Sequence, residues 1–199
     1  MPILTNAVPH KGDIVLGESP DSKVTTDGYR LSTADGILHI SGIGNGTVYG
    51  VVSFLEKYLN MNYWSTDSYS LPHTNQLSVP SVNYIDNPTF RYRQTQNYAL
   101  KSDTIYKWWY RLEEPNEIFA ANYWVHTFNK LLPSDVYGKR HPEYYAFYNG
   151  KRHPGSAVQW CLTNPKVLKI VIQRIDSIFK ANPGMNTICV SQNDGNNTN

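Results

Sequence analysis

A polar cluster near the end of the chain, Ser191-Gln192-Asn193-Asp194-Gly195, follows the apolar run Thr187-Ile188-Cys189-Val190. A carboxylate at the tip of a strand can act as a general acid or base, and an adjacent amide can both donate to and accept from a substrate group. Asn193 and Asp194 are therefore the candidate catalytic residues, with Gln192 beside them as a substrate-binding candidate. Ordinary turn chemistry is the alternative, because Asn, Asp and Gly all favour loops.

Three other side chains are candidates for binding a substrate: Arg93, Trp124 and His126. His126 closes a predicted strand and can hydrogen-bond a hydroxyl, while Trp124 belongs to an aromatic belt whose flat faces suit sugar rings. Arg93 lies in another predicted strand, where a buried guanidinium needs several oxygen partners. Either a sugar diol or an internal carboxylate such as Asp194 satisfies that need. A structural histidine and a core aromatic are the alternatives for the other two.

The sequence predicts neither a metal nor a cofactor. The glycine-rich run 42–50 fails the dinucleotide-binding pattern GxGxxG, since the last glycine would fall on Thr47 or Tyr49. Those glycines instead favour a tight turn and close packing of a helix on a sheet. A GxSxG elbow is absent from the sequence. Three histidines lie in proline-containing loops without metal-ligand spacing: His73, His141 and His153.

Composition describes a globular chain of 199 residues, with 40% hydrophobic and 17% charged residues and a formal net charge of +2. Such a chain can bury a sizeable core, and its scattered charges give no reason to expect a nucleic-acid partner. No segment approaches the ~20 apolar residues of a membrane span, and the first residues do not form a signal peptide. Cys161 and Cys189 are expected to be structural thiols, with a disulfide left open.

The first predicted domain, residues 1–86, is a small α+β layer. Strands at 28–32 and 36–41 form a hairpin through Ala34-Asp35-Gly36, and the chain then continues at helical period to Leu59. Residues 62–64 read as another strand. Asp86-Asn87-Pro88 marks the boundary, because proline stops regular structure.

The second predicted domain, residues 87–199, reads as parallel α/β. Its expected strands are 90–95, 122–127 and 187–190, with helical segments around 105–121 and a hairpin at Asn149-Gly150. The clearest helix begins at Pro165 after a cap at Thr163 or Asn164. Its predicted apolar face consists of Val167, Leu168, Val171, Ile172, Ile175 and Phe179. The strand at 187–190 is expected to be buried on both faces.

The segment 47–59 with Tyr63-Trp64 resembles YGV-x-x-FLE-x-YLG-x-x-W, found in the N-terminal domain of family 67 α-glucuronidases. The same pattern is found in the bacterial family of unknown function numbered 4838, part of which is classed as glycoside hydrolase family 163. Further matches to the latter family are His126-Thr127-Phe128, residues 141–146 with 149–152, Cys161-Leu162-Thr163-Asn164-Pro165 and residues 190–195.

This resemblance implies an N-terminal α/β domain like the second domain of β-hexosaminidases, followed by the first half of a (β/α)8 TIM-type catalytic barrel. It also implies a parent protein secreted to the periplasm or cell surface of a glycan-degrading bacterium. In hexosaminidases, Phe-x-x-Arg opens the barrel with a sugar-binding arginine, and Phe90 and Arg93 match that spacing. Asn193-Asp194 stands where these relatives carry an Asp-Glu pair at the tip of strand four.

In the hexosaminidase mechanism the substrate's acetamido oxygen attacks C1, one acidic residue supports the amide, and its neighbour protonates the leaving oxygen. The resemblance thus implies that Asn193 orients the acetamido group and that Asp194 is the acid. An alternative source of the acid is the part of the barrel beyond this sequence. We expect the sequence itself to be a truncated, inactive piece of a larger hydrolase.

Three functions stay open at this point. The first is a retaining glycosidase of N-acetylglucosamine-containing glycans. The second is an inverting, α-glucuronidase-like hydrolase of uronic-acid-bearing polysaccharide, which needs a further cation for the carboxylate. The third is a non-catalytic carbohydrate-binding or interaction module. A glycan is the expected partner in each, and the oligomeric state is left open.

Overall fold

The computed structural model describes residue 5 and residues 7–73, 76–114 and 118–195. The chain divides into two compact units, residues 1–114 and 115–199, and its fold class is mixed α+β. The segment 87–114 lies in the first unit. The sequence-based division into domains at residue 86 stays a prediction.

A mixed four-stranded sheet forms the centre of the first unit. Its strand order is β1 (Ile14–Glu18), β3 (Ile37–Gly42), β2 (Tyr29–Ala34) and β6 (Asn83–Asp86). β1 pairs with β3 in parallel, whereas β2 is antiparallel to both of its neighbours. The predicted hairpin is confirmed, because Asp35 and Gly36 have φ angles of 52° and 77°, which the tight two-residue turn requires.

Helix α1 (Gly46–Leu59) covers this sheet, as its apolar period predicted. The core between them contains Tyr29, Leu31, Leu38, Ile40, Tyr49 and Phe54. The glycines before and within α1 serve close packing: a Cβ on Gly46 would lie 1.8 Å from the Gly28 carbonyl oxygen, and one on Gly50 would lie 2.6 Å from Ile40 Cγ2. The structural interpretation of the glycine-rich run is therefore confirmed.

The rest of the first unit contains short elements. β4 (Asn62–Ser65) and β5 (Ser68–Ser70) form a two-stranded sheet, and α2 (Tyr98–Lys101) and α3 (Thr104–Trp109) follow. Val52, Tyr63 and Trp109 form a small core that holds α3. The strand predicted at 90–95 is wrong as a regular element, because its ladder is limited to one antiparallel bridge between Arg93 and Glu113.

The second unit contains α4 (Phe128–Leu131), α5 (Ser134–Tyr137), the hairpin β7 (Phe147–Tyr148) and β8 (Lys151–Arg152), and α6 (Pro165–Ala181). The Asn149-Gly150 turn and the Asn164 cap, whose side chain accepts from Lys166 N, are confirmed. Val167, Val171 and Ile178 bury α6 in a core with Phe128, Leu131, Tyr144, Tyr145 and Trp160. Leu168 and Ile172 are exposed, so the predicted apolar face of α6 is too wide.

Two predicted strands of the second unit are corrected by the structure. Residues 122–127 cannot be extended, because Asn122 and His126 have φ angles of 59° and 52°. Residues 187–190 lie beside residues 119–123 through a single parallel bridge between Phe119 and Thr187 and a bond from the Cys189 N–H to the Tyr123 carbonyl oxygen, and Val190 is exposed. In the described ranges, parallel pairing is limited to this bridge and the β1–β3 ladder.

In the described part of the chain, no helix combines the length and the apolar character needed to cross a membrane. Cys161 and Cys189 are both half-buried free thiols.

Candidate functional site

The buried Thr127 joins two chain segments in the second unit. Its hydroxyl donates to the Cys189 carbonyl oxygen at 2.7 Å and accepts from the Ser191 backbone N–H at 3.0 Å. Its own backbone N–H donates to the Ser191 carbonyl oxygen at 3.1 Å. The residue before Thr127 and the residues after Ser191 are thus held close together.

These residues are His126, Gln192 and Asp194. The His126 ring places Nδ1 3.1 Å from the Gln192 carbonyl oxygen and Nε2 3.3 Å from Asp194 Oδ2. A carbonyl oxygen only accepts, so Nδ1 is the donor in its contact with Gln192. The structure therefore brings together two of the residues that the sequence singled out.

The His126 ring and the Asp194 carboxyl group lie within ion-pair distance of each other. Both side chains are of types that can give or take a proton, so the pair is a candidate for acid–base chemistry. The Asp194 side chain is 90% exposed and that of His126 is 45% exposed, so both can meet a ligand. An exposed carboxyl group beside an imidazole is a candidate general acid or base.

Asn193 lies between these residues in sequence but is buried. Its side-chain Nδ2 donates to the Val158 carbonyl oxygen at 2.8 Å, and its backbone groups bond to the buried Gln159. The side-chain amide of Asn193, which was predicted to meet a substrate, thus has an internal partner, because residues 158–159 lie beside residues 193–195, which we call the tip. Its position fixes the backbone that carries Asp194, while a catalytic role for Asn193 itself stays a prediction.

Close packing also fixes the end of the tip. A Cβ on Gly195 would lie 1.9 Å from the Ala157 carbonyl oxygen, so glycine is needed there. The ring of Phe128 stacks on that of Trp160 at a centroid distance of 3.8 Å, which ties the segment after His126 to the same neighbouring chain. Of the other two candidates, Gln192 is exposed and Trp124 is half-buried.

Arg93 belongs to the first unit, and its guanidinium is satisfied there. Nε donates to the Arg111 carbonyl oxygen at 2.5 Å, a terminal nitrogen donates to the Phe90 carbonyl oxygen at 2.6 Å, and the other lies 3.3 Å from Asp27 Oδ2. The internal carboxylate is therefore Asp27 rather than Asp194, because the loop before β2 reaches Arg93. This arrangement gives Arg93 a structural role, and its contact with a sugar stays a prediction.

The first unit also contains a cleft that the residue patterns did not predict, which we call the Trp108 cleft. It has a volume of about 440 Å³ and is lined by Asn45, Lys101, Thr104, Lys107, Trp108, Leu112, Glu113 and Glu114. The sequence signal for this cleft was the adjacent pairs Trp108-Trp109 and Glu113-Glu114. When the fold holds one residue of such a pair, the other can face solvent.

Tyr49 and Asn45 hold the Glu113 carboxylate at this cleft. Burial raises the pKa of the Tyr49 hydroxyl well above the usual range, and the hydrogen bond to the Glu113 carboxylate raises it further. Tyr49 therefore stays a neutral donor to Glu113, and Asn45 Nδ2 donates to the same carboxyl oxygen at 2.5 Å. Within the ranges that the structure describes, no group of three or more His, Cys, Asp or Glu residues could hold a metal ion.

The family described as Domain of unknown function (DUF4838) matches residues 63–198. This chain belongs to that family. The match covers the His126–Asp194 pair and most of the Trp108 cleft, whereas α1 and its glycines precede it. No curated protein and no solved structure matches the chain.

Proposed function

We propose that this chain is part of a glycoside hydrolase that acts on N-acetylglucosamine-containing glycans. The observation that carries the proposal is the His126–Asp194 pair, in which an exposed carboxyl group lies 3.3 Å from an imidazole nitrogen. A carboxylic acid that protonates the leaving oxygen is what glycosidic bond cleavage needs from the protein.

In the proposed reaction, the Asp194 carboxyl group donates its proton to the glycosidic oxygen as the bond to C1 breaks. The acetamido oxygen of the substrate bonds to C1 as the leaving group departs. Water then attacks C1 from the side that the leaving group occupied, the new bond to the acetamido oxygen breaks, and the Asp194 carboxylate takes the proton of that water, so the configuration is retained and the acid is restored. His126 stays beside Asp194, with Nδ1 bonded to the Gln192 carbonyl oxygen. Asn193 positions Asp194, because its buried side chain and backbone hold the tip against residues 158–159.

The proposal extends to the architecture and location of the parent protein. A sheet covered by α1 is compatible with a hexosaminidase-like second domain, and the order α6 followed by the extended segment 187–190 is compatible with part of a (β/α)8 barrel. A periplasmic or cell-surface location fits an enzyme that meets glycans outside the cell. The fold class established for the chain itself is mixed α+β.

The test is hydrolysis of an N-glycan by the full-length protein that contains this sequence, compared with its Asp194→Asn variant. The variant keeps the side-chain size but cannot supply the carboxyl proton, so we expect kcat to fall about 100-fold or more. Asp176→Asn is the matched control, because Asp176 is an exposed carboxylate of α6 that pairs with Lys180. Unchanged turnover by Asp194→Asn would exclude Asp194 as the acid.

Substrate choice separates the alternatives. Cleavage of N-glycan with no cleavage of glucuronoxylan supports the proposal. The reverse preference would replace it with the α-glucuronidase-like function, and binding of both without cleavage would leave a carbohydrate-binding role.

A further inference from the structure

The Trp108 cleft is built on a helix whose two tryptophans have different surroundings. Trp109 is 6% exposed and packs on Val52 and Tyr63, with its ring 6.0 Å from that of Tyr63. Trp108 is 39% exposed and lines the cleft. The buried indole of Trp109 thus holds α3 in position, and the Trp108 indole is exposed to solvent beside it.

The beginning of that helix is fixed as well. Asp103 caps α3 by accepting from Tyr106 N at 2.9 Å, and it also accepts from the hydroxyl groups of Tyr63 and Thr66. A platform that is held at both ends of a short helix loses little freedom when a ligand stacks on it. This preorganisation distinguishes Trp108 from an aromatic side chain on a loop.

The polar lining of the cleft is nearly balanced in charge. Lys101 Nζ lies 3.4 Å from Glu114 Oε2, so these two charges offset one another. Lys107 and the Glu113 carboxylate provide one further charge of each sign, and Glu113 is oriented by Asn45 and Tyr49. The cleft therefore offers amide, ammonium and carboxylate groups around an aromatic face without a net charge.

We propose that the Trp108 cleft of the first unit binds an uncharged sugar ring of a glycan. Sugars present an apolar face, which suits an exposed indole, and a rim of hydroxyl groups, which suits donors and acceptors of both signs. The volume of about 440 Å³ lies in the range of small-molecule sites. A phosphate or carboxylate ligand meets no excess of positive charge in the cleft, because Glu113 and Glu114 offset Lys101 and Lys107, and a purely apolar ligand would leave the charged groups without partners.

The test is calorimetric titration of the purified 199-residue chain with N,N′,N″-triacetylchitotriose and with xylotriose. We expect saturable binding of at least one of them and a tenfold or greater loss of affinity in Trp108→Ala. The matched control is Trp64→Ala, since Trp64 is 51% exposed on β4 and does not line the cleft. This control is expected to bind within twofold of the unchanged chain.

A second measurement keeps the test valid if Trp108→Ala does not fold. Sugar binding should change the tryptophan fluorescence of the unchanged chain and of Trp64→Phe but not that of Trp108→Phe. Raising NaCl from about 0.05 M to 0.5 M should change the affinity less than twofold, because the ligand is uncharged.

Three results would overturn the proposal: no saturable binding of either sugar, equal binding by Trp108→Ala, or tighter binding of glucuronic-acid-substituted xylotriose than of xylotriose. The inference is independent of the proposed hydrolysis. Asp194→Asn should bind the sugar at the Trp108 cleft as the unchanged chain does, so failure of one proposal leaves the other standing.

Discussion

Gln159 and Asn193 bond to each other twice. Gln159 Nε2 donates to the Asn193 carbonyl oxygen at 2.7 Å, and the Asn193 backbone N–H donates to Gln159 Oε1 at 3.2 Å. The side-chain amide of Gln159 thus makes the two backbone hydrogen bonds that a neighbouring strand would otherwise make to Asn193, the residue before Asp194. A side chain that can both donate and accept is needed for this arrangement.

Replacing Gln159 with glutamate tests this relationship. An ionised carboxylate cannot donate to the Asn193 carbonyl oxygen, so we expect Gln159→Glu to lower the free energy of unfolding by about 1–3 kcal/mol. The measurement is urea unfolding at pH 7. Gln173→Glu is the control, because Gln173 is exposed on α6; equal stability of the two variants would show that the amide pair contributes nothing.

Thr127 is expected to matter through its hydroxyl group alone. Thr127→Val keeps the shape of the side chain but removes the bonds to Cys189 O and Ser191 N. We expect a loss of about 1–3 kcal/mol, because buried polar partners are left unsatisfied. Thr127→Ser keeps the hydroxyl and should restore most of that loss, as measured by denaturant unfolding; a serine variant as unstable as the valine variant would contradict this account.

The packing of α1 on the sheet predicts a strong difference between two glycine positions. Gly46→Ala places a Cβ 1.8 Å from the Gly28 carbonyl oxygen, so the backbone must shift. We expect destabilisation of about 1–3 kcal/mol from this overpacking. Gly17→Ala is the matched control, since no atom lies within 4 Å of its added Cβ. Thermal melting of both variants is the measurement, and a Gly46→Ala protein that melts with the control would refute the prediction.

Tyr145 predicts how stability depends on alkaline pH. Burial raises the pKa of its hydroxyl from 10.0 to about 12. The folded state therefore holds this proton more tightly than the unfolded state, so the contribution to stability is complete below pH 10 and is lost as the pH rises through 12.

Tyr145→Phe removes both this titration and the hydrogen bond to the Leu132 carbonyl oxygen. We expect the variant to be less stable by about 1 kcal/mol at pH 7 and the gap to narrow between pH 10 and 12. Denaturant unfolding across this range checks the trend, with the exposed Tyr98→Phe as control. A gap that is constant with pH would contradict the prediction.

The sequence by itself determined the elements whose signals are local. The Asp35-Gly36 and Asn149-Gly150 turns, the helical period of α1 and the Asn164-Pro165 start of α6 each depend on a few neighbouring residues, so their types were sufficient. The sequence also selected His126 and Asp194 as candidates, because their chemistry is visible in their residue types.

The tertiary structure alone decided which distant groups meet. Asp27 reaches Arg93 across 66 positions of the chain, and Thr127 holds the tip that places Asp194 beside His126. The positive φ of His126 breaks the strand predicted at 122–127, and the Trp108 cleft forms because Trp109 packs inward on Val52 and Tyr63. Such outcomes depend on contacts between segments far apart in sequence, and the local residue types that guide a sequence-based prediction do not specify them.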